Sequence, residues 1–228
     1  MYAKKFVFTG FTLPALVFMH QAAEYQQRKA AQKRGEEERR GEVLKSDPVD
    51  ITPQNKGSFP WAGKNADSFE QEWSMKPVEV KGVFDHSREI HVQKTHRGEK
   101  GVQIITPFYT HLDKDGKPSG IMVNRGWVPA DLKTQRLHYM NNTVGSIQGV
   151  LYRGDKRTKY TTVNAPIMNE YRSAHPEELS LVCQLPNSEE ASQFMLHMVD
   201  FDEEVRQVLP TVPTKGELTK WPISVDRH

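Results

Sequence analysis

The sequence predicts an α+β fold, in which a small antiparallel β-barrel-like domain follows an N-terminal transmembrane helix that continues into a charged helix. Three observations indicate this: residues 6–19 carry no charge, residues 21–45 have the composition of a solvated helix, and alternating polar and apolar segments begin after Trp73. The 228 residues suffice to bury one core of ordinary size. We expect three regions, at residues 1–24, 25–68 and 69–228.

The first region is predicted to be a membrane anchor that contacts lipid through residues 2–23. The uncharged run at residues 6–19 would give only ~21 Å of helix, less than the ~30 Å of a bilayer core. Extension to residues 2–23 gives ~33 Å, enough to span if the flanking lysines extend toward the interface. Two alternatives stay open, a buried amphipathic helix and a secretory signal. Gln21 weakens the signal, because a small residue is expected three positions before a cut after Ala23.

The second region combines a charged helix with a linker. Residues 21–45 are rich in Ala, Gln, Glu, Lys and Arg, which favour a helix that leaves the bilayer and continues into water. Residues 46–68 contain three prolines and little periodicity, which predicts an extended linker. Phe59, Trp61 and Phe69 are expected to pack this linker against the domain that follows.

The third region is predicted to be β-rich. Alternation indicates five antiparallel strands, at residues 78–82, 89–94, 102–109, 121–128 and 145–152. The first two are expected to form a hairpin about the Asp85-His86 turn, and Pro107 restricts the third to an edge or an end of the sheet. Short spacing with turn residues between the strands favours a closed or half-closed barrel. His175 and Pro176 begin a helix, and residues 194–201 are expected to form one more strand.

Composition excludes several classes of function. The 31 basic and 29 acidic side chains nearly cancel, so we expect no nucleic-acid partner. A single cysteine, Cys183, excludes an intramolecular disulfide and any metal site with two thiolates. Two acidic pairs occur in turn-like contexts where such residues are ordinary, Asp113 with Asp115 and Glu203 with Glu204.

The histidines do not predict a catalytic or metal centre. His86, His91 and His96 recur at every fifth position, and neither a strand nor a helix brings three such residues to one face. We therefore expect solvated histidines. Since no glycine-rich phosphate loop is present either, the sequence predicts no enzyme activity.

Three blocks of sequence together resemble the surfeit-locus-protein-one family. The first is KPVEVKGVFDH at residues 76–86, which ends in the turn motif Asp85-His86, and the second is GVQIITP at residues 101–107. The third, VNRGWVP at residues 123–129, is similar to the signature heptad of the family. The blocks occur in the order and with the gaps of the family, and the resemblance extends over residues 69–228.

The heptad is predicted to be structural; its signature residues are Asn124, Arg125, Gly126, Trp127 and Pro129. On a regular strand it divides between two faces, one with Val123, Arg125 and Trp127 and the other with Met122, Asn124 and Val128. Arg125 is expected either to stack on Trp127 or to bridge backbone carbonyls of a neighbouring turn. Gly126 would allow a second backbone to approach closely, and Pro129 would end the strand.

The resemblance implies a protein of the respiratory inner membrane that supports cytochrome c oxidase, with oxidase subunits as partners. Two roles follow: a biogenesis factor for the oxidase, with haem a as candidate cargo, or a permanent accessory subunit. A third, of another class, is a soluble β-barrel binding module with a cleaved leader. The family places its domain in the mitochondrial intermembrane space, or in the bacterial periplasm. The basic residues after the predicted anchor instead favour the matrix or cytoplasm by the positive-inside rule.

The haem expectation rests on His228. Family members normally have a second transmembrane helix after the domain, and His228 lies where that helix would begin. A histidine at this place is a residue type that ligates haem iron. We expect no stably bound cofactor, with haem a as a transient one.

Overall fold

The computed structural model describes residues 12–53, 57–112, 116, 118–131, 144–201 and 210–220. Helix α1 spans Thr12–Val43, and its residues 17–35 are all exposed, as the charged composition predicts. Among the described residues, the helix contacts α5 near its C-terminal end, and Leu44, the residue after it, is buried beside Leu218. The polar helix therefore presents a long solvated surface before the chain enters the domain.

The transmembrane helix predicted over residues 2–23 is not supported. No helix in the ranges that the structure describes is long and apolar enough to cross a membrane. Residues 2–11 lie outside those ranges, and the apolar part of α1 that is described, residues 12–19, extends only about 12 Å.

The segment predicted as a linker is pinned to the domain. It holds a two-residue strand, β1 (Val49–Asp50), and leads into a helix that the sequence did not predict, α2 (Ala66–Trp73). Phe59, Trp61 and Phe69 are buried, which confirms their predicted packing. The Trp61 ring stacks on Phe59 with 4.6 Å between centroids, and its indole N–H donates to the carbonyl of Glu190.

The other elements follow in chain order: β2 (Pro77–Phe84), β3 (Ile90–His96), β4 (Glu99–Leu112), β5 (Pro118–Pro129), β6 (Val144–Tyr152), α3 (Pro176–Val182), α4 (Ser188–Ala191), β7 (Met195–Met198) and α5 (Lys215–Thr219). Two single 3-10 turns, His86–Arg88 and Pro166–Met168, lie between them. The predicted strands, the predicted helix after His175 and the late strand are thus present, the last of them shorter than expected.

The sheet closes on itself, which confirms the small barrel. Strand order is β1-β2-β6-β7-β5-β4-β3, and an additional pairing of β2 with β4 closes a ring of five strands. Two details of the prediction are wrong. The fifth ring strand is β7, and β3 lies outside the ring; in addition, β7 runs parallel to β5, so the ring is not purely antiparallel. Parallel pairing arises because the long segment between β5 and β7 allows a crossover.

The predicted hairpin of residues 78–82 with 89–94 is also wrong. Strand β2 pairs along its length with β6 and, at its end, with β4, whereas β3 pairs with β4. The turn itself is present, because the Asp85 carboxylate accepts the backbone N–H of Ser87 and begins the 3-10 turn. That turn carries the chain onward along one edge of β4, from the part paired with β2 to the part paired with β3, instead of back along β2.

Pro107 lies inside the sheet, contrary to the prediction that it marks an edge or an end. Pairing of β3 with β4 stops at Ile105, and pairing of β2 with β4 starts at Phe108. Pro107 occupies the gap between these two partners, so its missing N–H removes no ladder bond on that side. Its carbonyl accepts the N–H of Asp85 at 3.0 Å. The proline therefore marks where β4 changes partner.

Two faces of the sheet are buried. The larger cluster contains the alternating apolar residues of the ring strands and the aromatic residues that cover one end, among them Val78, Val80, Phe84, Phe108, Ile121, Val123, Ile147, Leu196, Trp61, Phe69 and Phe194. The second lies beneath α3 and includes Ile105, Met122, Met195, Leu179 and Cys183. Burial raises the pKa of the Cys183 thiol to about 12, which keeps it protonated and unreactive at neutral pH.

Candidate functional site

The signature heptad lies at the centre of the protein. Strand β5 pairs with β4 on one side and with β7 on the other, and every residue from 121 to 128 is buried. Two of these, Asn124 and Arg125, are polar or charged, which is uncommon for a position in the middle of a sheet. Burial of a guanidinium requires hydrogen bonds and a countercharge.

A β-bulge at Arg125 places its side chain. Asn124 lies opposite Ile105 and Gly126 opposite Ile104, so Arg125 is an extra residue between two consecutive pairs. The Asn124 side-chain oxygen accepts the N–H of Gly126 at 3.0 Å and closes the bulge. Because opposed residues share a face, the bulge moves Trp127 to the face of Asn124. The predicted sharing of one face by Val123 and Trp127 is therefore wrong.

Gly126 permits the close approach that the sequence predicted. Its φ is +119°, and a Cβ added there would lie 2.6 Å from the carbonyl oxygen of Thr211. The next residue, Trp127, exchanges two backbone hydrogen bonds with Thr211, at 2.9 and 2.8 Å. A side chain at position 126 would separate these segments, so glycine is required by both conformation and space. Strand β5 ends at Pro129, as predicted.

Arg125 does not stack on Trp127, contrary to one of the two expectations. Its guanidinium carbon lies 4.8 Å from the centroid of the Phe84 ring. One of its nitrogens lies 3.4 Å from a carboxylate oxygen of Glu89 and donates to Nδ1 of His86 at 3.2 Å. Trp127 instead packs against His96, and its indole N–H donates to the carbonyl of Lys94. Among the described contacts, the turn before β3 therefore holds Arg125 through the side chains of His86 and Glu89.

Glu89 connects the remaining members of this group. Its other carboxylate oxygen, Oε1, lies 2.7 Å from Nε2 of His91. The hydroxyl of Thr106 donates at 3.4 Å to Oε2, the oxygen that also faces Arg125. We call the five residues Arg125, Glu89, His86, His91 and Thr106 the Arg125 cluster. It joins β5, β4, β3 and the turn before β3 around one carboxylate and one guanidinium, whose charges balance when both histidines are neutral.

The electrostatics favour a neutral His86. Burial lowers the pKa of His86, and the adjacent Arg125 guanidinium lowers it further. Since a guanidinium only donates, Nδ1 of His86 is an acceptor and its proton resides on Nε2. Nε2 is buried and has no hydrogen-bond partner within the described ranges.

The prediction of solvated histidines is wrong for His86, whose side chain is only 10% exposed. The periodicity argument fails there because His86 lies in a 3-10 turn and not on a strand. No group of three or more His, Cys, Asp or Glu that could hold a metal occurs in the part of the chain that the structure describes. The arrangement is suited to holding a strand in place, and the structural role of the signature residues stays a prediction.

Sequence reasoning identified Arg125, Asp85 and His86 but missed the role of Glu89. A signal was available, since Glu89 and His91 lie two residues apart at the start of β3 and so share one face. Their meeting with Arg125 is a contact across 36 residues of sequence and has no local signature. The candidate haem ligand His228 lies outside the described residues, as do Asp113, Asp115, Glu203 and Glu204.

Comparison with known proteins adds the family. A family model described as the SURF1 family matches residues 15–223. Proteins named Surfeit locus protein 1 are similar to this chain: that of Xenopus tropicalis is 26% identical over 137 residues, or 52% of this chain and 42% of the relative. That of Gallus gallus is 27% identical over 166 residues, covering 64% and 48%, and that of Mus musculus 26% over 113 residues, covering 42% and 36%. The matches span less than half the length of these relatives.

Proposed function

Because this chain belongs to the SURF1 family, we propose that it supports the biogenesis of cytochrome c oxidase at the respiratory inner membrane and is not itself an enzyme. The observation that carries the proposal is the family match over residues 15–223, which includes the signature heptad. In this proposal the domain faces the intermembrane space, or the periplasm of a bacterium, and its partners are oxidase subunits. Nucleic acid is not among them.

A second candidate is a permanent accessory subunit of the oxidase. Helix α1 favours it, because its residues 17–35 are all exposed in the part of the chain that the structure describes. A long polar helix with so little intramolecular packing is suited to lie along a neighbouring subunit.

Co-purification in mild detergent distinguishes the two roles. A biogenesis factor is expected with immature oxidase intermediates and is expected to be absent from the mature enzyme. A permanent subunit is expected at a constant ratio in the purified oxidase. Absence of oxidase subunits from both fractions would contradict the family-based proposal altogether.

The proposal keeps the membrane anchor over residues 2–23, which includes ten residues outside the described ranges. Replacement of Leu16 and Val17 by aspartate adds roughly 5 kcal/mol to the cost of membrane insertion. We expect the variant to leave the membrane fraction after alkaline wash. Unchanged retention would show that residues 2–23 do not anchor the protein.

Transient handling of haem a remains part of the proposal only through His228. Within the described ranges, His86 lies beside the Arg125 guanidinium and His91 beside the Glu89 carboxylate, which is not the apolar surrounding that a haem requires. A haem titration of the full-length protein tests this: loss of a histidine-type spectrum in His228→Ala supports the ligand, and an unchanged spectrum excludes it.

A further inference from the structure

The segment between β6 and α3 exposes four large apolar side chains on a single loop. Ile167 is fully exposed, and Val163, Tyr160 and Met168 are 85%, 81% and 74% exposed. Single exposed apolar residues are ordinary on protein surfaces, but several on one loop mark a contact surface.

The loop is held in place by its own hydrogen bonds. Asn164 is buried; its amide donates to the carbonyl of Ser173 at 2.9 Å and its oxygen accepts the N–H of Ser173 at 3.1 Å. Beyond it, Ala165 and Glu170 exchange two backbone hydrogen bonds, at 2.8 and 3.2 Å, around the 3-10 turn Pro166–Met168. These hydrogen bonds hold the backbone of the loop in place while its apolar side chains remain exposed.

The charge of the loop is positive. Residues 153–172 contain five basic and two acidic side chains. Asp155, one of the acidic pair, forms an ion pair with Lys94. Lys156, Lys159 and Arg172 form no ion pair among the described residues, although Lys159 lies 5.0 Å from the Tyr160 ring. Arg153 and Arg157 are paired, with Asp67 and Glu177, so Lys156, Lys159 and Arg172 are the basic side chains left to meet the anionic groups above an apolar layer.

We infer that the loop tip formed by Tyr160, Val163, Ile167 and Met168 docks on an anionic membrane surface. The apolar side chains enter the interfacial layer and the basic residues contact lipid phosphates, as in other interfacial anchors. A tyrosine ring is suited to the interface, and lysine stems extend along apolar surface toward the headgroups. We take a lipid surface as the occupant because basic side chains accompany the exposed apolar ones along this segment. The inference does not depend on the oxidase proposal or on residues 2–23.

A local probe tests this contact in the full-length protein. Cys183 is buried, so an environment-sensitive NBD label attaches selectively to Ile167→Cys. The labelled protein is mixed with phosphatidylcholine vesicles, with or without about one third phosphatidylglycerol, whose acyl chains carry spin-label quenchers. The matched control is a label at Thr95→Cys, on the exposed side of β3. This readout reports the position of the loop whether or not another segment binds the vesicle.

We expect blue-shifted, quenched emission from position 167 with anionic vesicles and not from position 95. Changing Lys156, Lys159 and Arg172 to glutamine is expected to lower the ratio of quenched to unquenched probe about five-fold for each charge removed. A probe at 167 that stays in water on anionic vesicles would overturn the inference, as would equal quenching at 95. Burial of the probe only when oxidase subunits are added would overturn it in favour of a protein partner.

Discussion

Removal of the Arg125 guanidinium should destabilise the fold far more than removal of an exposed one. The Arg125 and Glu89 side chains are 7% and 12% exposed, with 3.4 Å between nitrogen and oxygen. Breaking a buried pair leaves an uncompensated charge and costs about 3–5 kcal/mol. For a protein of this size, Arg125→Met should therefore lower the Tm by roughly 10 °C.

The matched control is Arg153→Met. Arg153 pairs with Asp67, and the two side chains are 44% and 74% exposed. Loss of this pair should therefore lower the free energy of unfolding by less than about 1 kcal/mol. Urea unfolding followed by tryptophan fluorescence gives both free energies, because Trp61 and Trp127 are buried. The double variant Arg125→Met/Glu89→Gln should lose less free energy of unfolding than the two single variants lose together. The reason is that Glu89→Gln removes the carboxylate charge that Arg125→Met leaves without its partner.

One result would refute this reasoning. The free energy of unfolding of the Arg153→Met control should lie within about 1 kcal/mol of that of the unmodified protein. If that of Arg125→Met does so as well, the Arg125 cluster does not hold β5 to the turn before β3. Strictly additive losses for Arg125→Met and Glu89→Gln would likewise show that the two charges do not interact.

Two further predictions concern the centre of the sheet. Gly126→Val should lower the free energy of unfolding by roughly 3 kcal/mol or more, because φ is +119° and the new Cβ would contact the Thr211 carbonyl. The control Gly145→Val, where an added Cβ has nothing within 4 Å, should change it by no more than about 0.5 kcal/mol. Equal melting curves for the two variants would contradict the close approach. Burial lowers the pKa of His197 from 6.5 to about 4, so the unfolded chain binds more protons between these values and the free energy of unfolding should fall by about 3 kcal/mol as pH drops across them. His197→Asn should flatten that part of a pH series of urea unfolding curves, and an unchanged slope would contradict the assignment.

Local patterns were sufficient for much of the fold. Alternation located β2, β4, β5 and β6, because the period of two is a property of each strand alone. Turn residues located the Asp85 turn, and the missing Cβ of Gly126 indicated a close backbone approach.

Local patterns did not predict which strands pair with each other or in which register. The bulge at Arg125 depends on a one-residue mismatch with β4, and it moved Trp127 to the other face. Pro107 was misassigned because its neighbours on one side are two different strands.

The sequence by itself determined the α+β class, most strand positions, the buried aromatic residues of the linker segment and the family signature, since these depend on residue type and short spacing. Only the tertiary structure decided which strands close the ring, the parallel pairing of β7 with β5, and the meeting of Arg125 with Glu89. The physical reason is that pairing register and buried ion pairs depend on free energies summed over contacts between distant segments. No local window of sequence contains both members of such a contact.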